Sequence, residues 1–227
     1  MSARIQNLLT AWGGDGKRSG MSKHPKEGYY KFNPRFVGIA EFPPAILADL
    51  NRCRERLFAL RLVGMFQEGE LKGIGYGNLS VRTPGGFVIT ATRTGGFPVL
   101  GAEHYTEIVK VEVDRNAVDF RAVVETTTPS AECMTHAMFY QADPAVGAVI
   151  HVHHLEFWKR LLDRVPTTAR EVEYGTPDMA REILRLYRET DLSTRKLAAM
   201  GGHEEGVISI GKDMEEACAV LLAAYGG

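Results

Sequence analysis

The chain has 227 residues, of which 44% are hydrophobic and 24% are charged, and its formal net charge at neutral pH is -1. These proportions are those of an ordinary globular protein, so wholesale disorder is excluded, and the length fits one α/β domain. The sequence contains no apolar run long enough to cross a bilayer, and its three widely spaced cysteines include no Cys-x-x-Cys pair. We therefore expect a cytoplasmic protein with no membrane partner.

Charge is distributed unevenly along the chain. Residues 1–40 contain seven Lys or Arg and two Asp or Glu, a net charge of +5, which leaves -6 for the remainder. Glycine, serine and proline dilute the positive charges, as in a solvated segment or one that clasps another subunit. We predict an irregular basic arm over residues 1–40, a folded domain over residues 41–227 and no nucleic-acid partner.

The first predicted element of the domain is a long amphipathic helix. It follows Pro43 and Pro44, because apolar residues recur at helical spacing from Leu47 to Phe66. Glycines from Gly69 onward end the pattern.

The middle of the chain has the pattern of β-structure. Residues 78–82 and 87–92 are rich in β-formers and flank a Pro-Gly-Gly turn, which predicts a hairpin. Apolar and charged residues alternate over 108–114, and a further strand pattern covers 117–124. Such alternation indicates an antiparallel sheet with one solvent-exposed face.

Helices and strands then alternate to the end of the chain. A helix is predicted after Pro129, with Ser130 as its cap, followed by a strand from Gly147 to His153. A helix opened by Thr176, a short strand over 207–210 and a closing amphipathic helix complete the order. This order predicts a three-layer α/β/α domain with a central, mostly antiparallel sheet.

Two histidines on the predicted strand are candidate metal ligands. His151 and His153 are separated by one residue, so the period of a strand directs both imidazoles to the same face. The simpler alternative is a hydrogen-bonded core residue at His151 and a surface residue at His153. A catalytic zinc site usually has three protein ligands and one open position. His203, in the sequence GGHEEG at 201–206, is the candidate third ligand.

Other candidates lie at a helix start and in two glycine-containing loops. Glu132 lies where the positive end of the helix dipole favours a carboxylate, although a solvated helix residue is the ordinary alternative. The loops over 75–78 and 94–96 expose backbone N–H groups that suit phosphate or another oxyanion. A dinucleotide-binding role is excluded for the first loop, because that motif needs a strand before it and a helix after it.

Taken in order, five segments of the sequence resemble the class II aldolase/adducin family. They are GNLS (77–80), VIT with TG (88–90 and 94–95), PSAE (129–132), VIHVH (149–153) and the His203 loop before 213–217. The resemblance covers residues 45–225 and implies a catalytic domain with one divalent cation, zinc or alternatively manganese. It implies metal ligands at His151, His153 and His203, a catalytic acid/base at Glu132, and substrate or phosphate contacts from Gly77, Asn78, Thr94, Gly95 and Ser130.

The same resemblance implies an activity and an assembly. The chain is expected to be a metal-dependent lyase of carbohydrate metabolism, and specifically an aldolase. It would cleave a C–C bond of a small sugar, sugar phosphate or keto acid through a metal-stabilised enediolate, as a homotetramer. The alternatives are an epimerase, dehydratase or decarboxylase of the same family, or a non-catalytic, adducin-like interaction domain.

The sequence departs from the family's pattern at three places. Two glutamates separate His203 from the following glycine, so Glu205 is an alternative third ligand. Ala131 stands where sugar-phosphate aldolases usually have a second serine, which removes a hydrogen-bond donor to phosphate. The segment between His153 and Tyr174 is short and lacks the loop that carries those enzymes' catalytic tyrosine. The exact reaction is therefore left open by the sequence.

Overall fold

The computed structural model describes residues 31–227, so most of the predicted basic arm lies outside the described residues. The strands are β1 (Asn33–Ile39), β2 (Gly64–Met65), β3 (Gly75–Tyr76), β4 (Asn78–Thr83), β5 (Gly86–Thr90), β6 (Tyr105–Glu112), β7 (Ala117–Ala122), β8 (Ala148–His153), β9 (Leu197–Ala199) and β10 (Gly206–Gly211). The helices are α1 (Pro44–Ala59), α2 (Cys133–Ala142), α3 (Leu155–Leu161), α4 (Pro177–Glu189), α5 (Leu192–Arg195) and α6 (Met214–Gly226). Within residues 31–227, none of the helices combines the length and apolarity that crossing a membrane requires.

Eight of these strands form one central sheet in the order β1-β7-β6-β5-β4-β8-β10-β9. Neighbouring strands pair antiparallel, except that β1 runs parallel to β7. Helices α2 and α4 pack on one face of the sheet, while α1, α3 and α6 pack on the other. The predicted three-layer α/β/α arrangement with a mostly antiparallel sheet is confirmed.

Strand β8 lies inside the sheet, between β4 and β10, and is buried along its whole length. Val149 packs into the core beneath α2 and α4, whereas Ile150 and Val152 pack into the core beneath α1, α3 and α6. Because side chains alternate along a strand, His151 and His153 follow Val149 on the α2 side. The sheet therefore directs both histidines towards the start of α2.

Two predictions for the first part of the chain are wrong. Helix α1 ends at Ala59 rather than near Phe66, because Arg61 adopts a left-handed φ of 57° that turns the chain. Within the predicted irregular arm, Asn33–Ile39 is a strand, since its backbone pairs with β7. A domain boundary at residue 40 stays a prediction.

Candidate metal and substrate site

Three buried histidines lie together at the end of β8. His151 and His153 are on β8, and His203 is in the loop before β10. Antiparallel pairing places Gly206 opposite His153, which brings this loop to the same end of the sheet. The Nε2 atoms of His151 and His153 are 3.0 Å apart. One potential ligand atom from each of the three residues lies within 4.8 Å of the others.

The chemistry of these three side chains fits a divalent cation. Two nitrogens bound tetrahedrally to one zinc ion are about 3.3 Å apart, close to the separation of the His151 and His153 Nε2 atoms. Burial, with added repulsion from His153 and His203, holds the pKa of His151 well below its usual range. This imidazole is therefore neutral at ordinary pH, as a metal ligand must be.

The Glu132 carboxylate lies beside the three histidines. Its Oε1 atom is 3.6 Å from Nδ1 of His203, and only 3% of the residue is exposed. Helix α2 begins at Cys133, later than predicted. The residues before it form a turn, in which the Ser130 hydroxyl accepts a hydrogen bond from the Glu132 N–H at 3.3 Å. Glu132 is thus the N-cap residue, where the helix dipole favours its negative charge. A carboxylate in this position can accept or donate a proton next to a bound cation.

The alternative ligand Glu205 lies outside the group of three. Its Oε2 atom is 3.9 Å from Nδ1 of His153, and its side chain is 30% exposed, against 4% for His203. The glycines of the loop allow this arrangement: a Cβ on Gly202 would lie 1.9 Å from the carbonyl oxygen of Val172. Among the described residues, the geometry favours His203 over Glu205 as the third metal ligand.

A cleft extends from the histidines to the two glycine-containing loops. Every site residue predicted from the sequence lines this cleft. These residues are Gly77, Asn78, Thr94, Gly95, Ser130, Glu132, His151, His153 and His203.

The two loops are held close to each other and to the strand of the histidines. Gly77 has a φ of 74°, and a Cβ there would lie 2.6 Å from Cγ1 of Val63. A Cβ on Gly95 would lie 2.0 Å from the carbonyl oxygen of Gly64. Asn78 pairs with His151 in the sheet, and within the described part of the chain its buried Oδ1 has no hydrogen-bond partner. A polar group of a substrate can provide that partner.

Tyr76, Arg93 and Tyr174 also line the cleft, and none of them was predicted as a site residue. The Tyr174 ring stacks on His203, with centroids 4.3 Å apart and planes 18° from parallel. The centroid of Tyr76 is 5.7 Å from that of His153. Only Arg93 had a local signal, because it is a cation directly before the predicted anion-binding loop over 94–96. The aromatic contacts depend on packing between distant segments and have no local signature.

A buried hydrogen-bond network lies on α2 next to the site. The Ser80 hydroxyl is 2.7 Å from Nδ1 of His136 and 2.7 Å from the Tyr140 hydroxyl. Burial lowers the pKa of His136 to about 3, so this ring is neutral. These contacts tie α2, and therefore Glu132 at its start, to strand β4.

The chain matches the model of one family and is similar to several known proteins. The model of the Class II Aldolase and Adducin N-terminal domain matches residues 61–224. A methylthioribulose-1-phosphate dehydratase from Gluconacetobacter diazotrophicus is 43% identical over 77 residues, 34% of this chain and 34% of that protein. Its counterpart from Gluconobacter oxydans is 38% identical over 77 residues, 34% and 33% of the two chains. The match thus spans about a third of the length of these relatives.

Solved structures share the fold at lower sequence identity. An L-fuculose-1-phosphate aldolase from Thermus thermophilus superimposes with a TM-score of 0.56 and 22% identity, covering 80% of this chain and 90% of that one. A sugar-phosphate aldolase from Thermotoga maritima gives a TM-score of 0.58 and 15% identity, covering 80% and 91%. Similarity at this level of identity establishes a common fold.

Proposed function

Since the chain belongs to the class II aldolase and adducin family, we propose that it is a divalent-metal-dependent lyase acting on a small carbonyl-containing substrate. The observation that carries this proposal is the buried group of His151, His153 and His203, with the Glu132 carboxylate 3.6 Å from His203. An adducin-like interaction domain would have no need to bury four such groups together, because burying ionisable groups is costly.

The chain's own residues have distinct roles in this proposal. His151, His153 and His203 hold the cation, zinc by the preference of imidazole ligands, with manganese as the alternative. A bound cation of this kind supplies Lewis acidity to a substrate carbonyl. Glu132 takes a proton from the substrate and returns it to the leaving group or product, and its place at the start of α2 fixes its direction.

The first candidate reaction is dehydration of a phosphorylated ketose. Two methylthioribulose-1-phosphate dehydratases have a higher sequence identity to this chain, over 77 residues, than the solved aldolase structures have, and this supports the choice. In dehydration, Glu132 removes a proton from the carbon next to the carbonyl. The hydroxyl on the following carbon leaves with its bonding electrons and takes up a proton, giving one molecule of water.

The second candidate is aldol cleavage, the reaction that the family resemblance implies. Here Glu132 removes the proton of the hydroxyl group β to the carbonyl, the C–C bond breaks, and a proton is added to the new carbanionic carbon. The combination of the five motifs with the fold of the sugar-phosphate aldolases supports it. Both reactions need the same cation site and the same carboxylate.

We place the phosphate or another oxyanion of the substrate at the loop end of the cleft. Gly77 and Gly95 leave their backbone unobstructed by side chains, while Asn78, Thr94 and Ser130 supply small polar groups beside them. Arg93, at the same end, adds a positive charge. A nest of backbone N–H groups with one guanidinium is a common arrangement for phosphate.

A product analysis separates the two reactions. The zinc-loaded protein is incubated with methylthioribulose 1-phosphate and, separately, with L-fuculose 1-phosphate, and the products are identified by mass spectrometry. Dehydration gives one product lighter by one water, whereas cleavage gives two carbonyl fragments that together contain every carbon. We expect the first outcome with methylthioribulose 1-phosphate, and two fragments from either substrate would instead establish the aldolase. Recovery of both substrates unchanged, with zinc bound, would contradict a lyase acting on such substrates.

The proposed assembly is a homo-oligomer, and by family resemblance a tetramer. At the edge of the sheet, Val37 and Ile39 of β1 are 50% and 65% exposed, and Val123 and Val124 follow the paired strand with 37% and 43% exposed. A group of exposed apolar residues of this kind is typical of a protein–protein contact. A native mass of four chains is expected, and a single-chain mass at micromolar concentration would contradict it.

A further inference from the structure

Tyr174 lies between a metal-site histidine and a lysine. Its ring is stacked on His203, with centroids 4.3 Å apart and an interplanar angle of 18°. The Lys31 ammonium is 4.0 Å from the centroid of the same ring. Because the imidazole covers one face of the phenol ring, the ammonium must lie over the other. The three side chains form a layered stack in the order Lys31, Tyr174, His203.

Both ends of this stack are anchored. The Lys31 Nζ atom is 2.5 Å from the Glu173 carboxylate and donates a hydrogen bond to the Tyr174 carbonyl oxygen at 3.3 Å. At the other end, Nδ1 of His203 is 3.6 Å from the Glu132 carboxylate. Tyr174 and His203 are each only 4% exposed. Neither ring can therefore rotate without displacing its neighbours.

The segment that carries Tyr174 is packed against the backbone on both sides. A Cβ on Gly202 would lie 1.9 Å from the carbonyl oxygen of Val172, so this segment touches the loop of His203. Gly175 has a φ of 66°, and a Cβ there would lie 3.1 Å from the carbonyl oxygen of Ala131, the residue before Glu132. The Tyr174 ring is thus held in a fixed place relative to both the third histidine and the carboxylate.

We propose that Tyr174 is a positioning residue that fixes the plane of the His203 imidazole for cation binding, and that Lys31 clamps Tyr174 from its other face. The proposal rests on the metal site of the proposed function. Strand β8 supports the imidazoles of His151 and His153. His203 comes from a glycine-containing loop, so its imidazole needs support from another segment. Groups that orient a metal ligand from behind typically change metal affinity about 10- to 100-fold when they are removed. The effect of the lysine is smaller, because its side chain is 26% exposed and a partly solvated cation over an aromatic face contributes little.

Through Lys31, the end of the N-terminal segment contributes to the site. Lys31 is one of the seven basic residues counted in residues 1–40. Its charge is neutralised by Glu173, so it does not repel a cation at the triad strongly, and it acts through contact with the ring. An arginine in its place should therefore work, because a guanidinium also stacks on an aromatic face.

The test is the zinc dissociation constant of the full chain, measured by competition with a chromophoric chelator. Tyr174→Leu should weaken zinc binding by at least about tenfold, while Tyr174→Phe keeps the ring and should stay within about twofold of the wild type. Lys31→Met should weaken binding by about two- to fivefold, and Lys31→Arg should restore it. In the Tyr174→Leu background, Lys31→Met should have no further effect, because the lysine acts only through the ring.

Two control variants separate positioning from general destabilisation. Tyr187→Leu removes a half-buried tyrosine of α4 whose hydroxyl donates a hydrogen bond to Asp143, so it should lower the melting temperature without changing zinc affinity. Lys159→Met removes an exposed lysine that pairs with Glu156, so it should change neither the melting temperature nor the zinc affinity. If Tyr174→Leu bound zinc as tightly as the wild type, or if Tyr187→Leu lost as much zinc affinity as Tyr174→Leu, the positioning role would be overturned. The proposed metal-dependent function would still stand. A wild-type protein that binds no zinc would overturn the metal-dependent function, and this inference with it.

Discussion

At the scale of single residues, the central feature is a carboxylate buried beside three imidazoles. Removing a charged group from water is costly unless other groups compensate it. Glu132 is compensated by the N-terminus of α2 and by His203, 3.6 Å away. The family resemblance pointed to Glu132 and the three histidines because the motifs that carry them are short local segments of a strand, a helix start and a loop. The sequence could not assign Tyr174, since its stacking partner lies 29 positions along the chain, a contact that only the fold creates.

Glu132→Gln tests whether this residue moves protons or anchors the metal. The amide keeps the size of the side chain but cannot act as a base, so turnover should fall by about 10²- to 10⁴-fold. Zinc content, measured by elemental analysis of the purified variant, should stay near that of the wild type. Turnover within twofold of the wild type on a verified substrate would reject the proton-transfer role.

At the scale of elements, the position of the loop over 94–98 depends on a buried arginine of α1. The Arg54 guanidinium donates hydrogen bonds to the carbonyl oxygens of Thr94 at 3.0 Å and Pro98 at 3.1 Å, and also to that of Phe97. Arg54 is only 3% exposed. Helix α1, which packs on the sheet face opposite the histidines, therefore fixes the loop at the far end of the cleft.

Arg54→Met should loosen that loop and leave the metal site intact. We expect the KM for a phosphorylated substrate to rise about tenfold or more, because hydrogen bonds from a charged group each contribute roughly 1.5–3 kcal/mol. Zinc content should not change. Arg52→Met is the matched control, since Arg52 is exposed on the same helix and pairs only with Asp49 in the described structure. An unchanged KM in Arg54→Met would show that the loop does not contact the substrate.

The start of α4 was predicted correctly from its capping residue, whereas the cap predicted at Ser130 places the start of α2 too early, and boundaries set by tertiary pairing were predicted poorly. The start of α4 at Pro177 agrees with the prediction, because the Thr176 hydroxyl accepts a hydrogen bond from the Met179 N–H at 3.2 Å. Strand β1 was missed, since its seven residues are extended only through pairing with β7. Helix α1 was predicted too long, because Val63 continues its apolar spacing although it lies beyond the turn at Arg61.

At the scale of the whole molecule, the three layers place the site where distant segments of the chain meet. Strands β8 and β10 bring His151, His153 and the His203 loop to one end of the sheet, and α2 brings Glu132 to the same end. The loops before β4 and after β5 complete the cleft. The layered fold was predictable from the order of elements, but the order of strands was not, because it depends on which non-local pairings bury the most apolar surface.

The most direct test of this account is the metal content of the purified chain, measured by elemental mass spectrometry after incubation with zinc. We expect about one zinc ion per chain in the wild type and in Glu205→Ala, and almost none in His203→Ala. A chain that stays metal-free with both zinc and manganese would contradict the account. Zinc retained by His203→Ala but lost from Glu205→Ala would contradict the assignment of the third ligand.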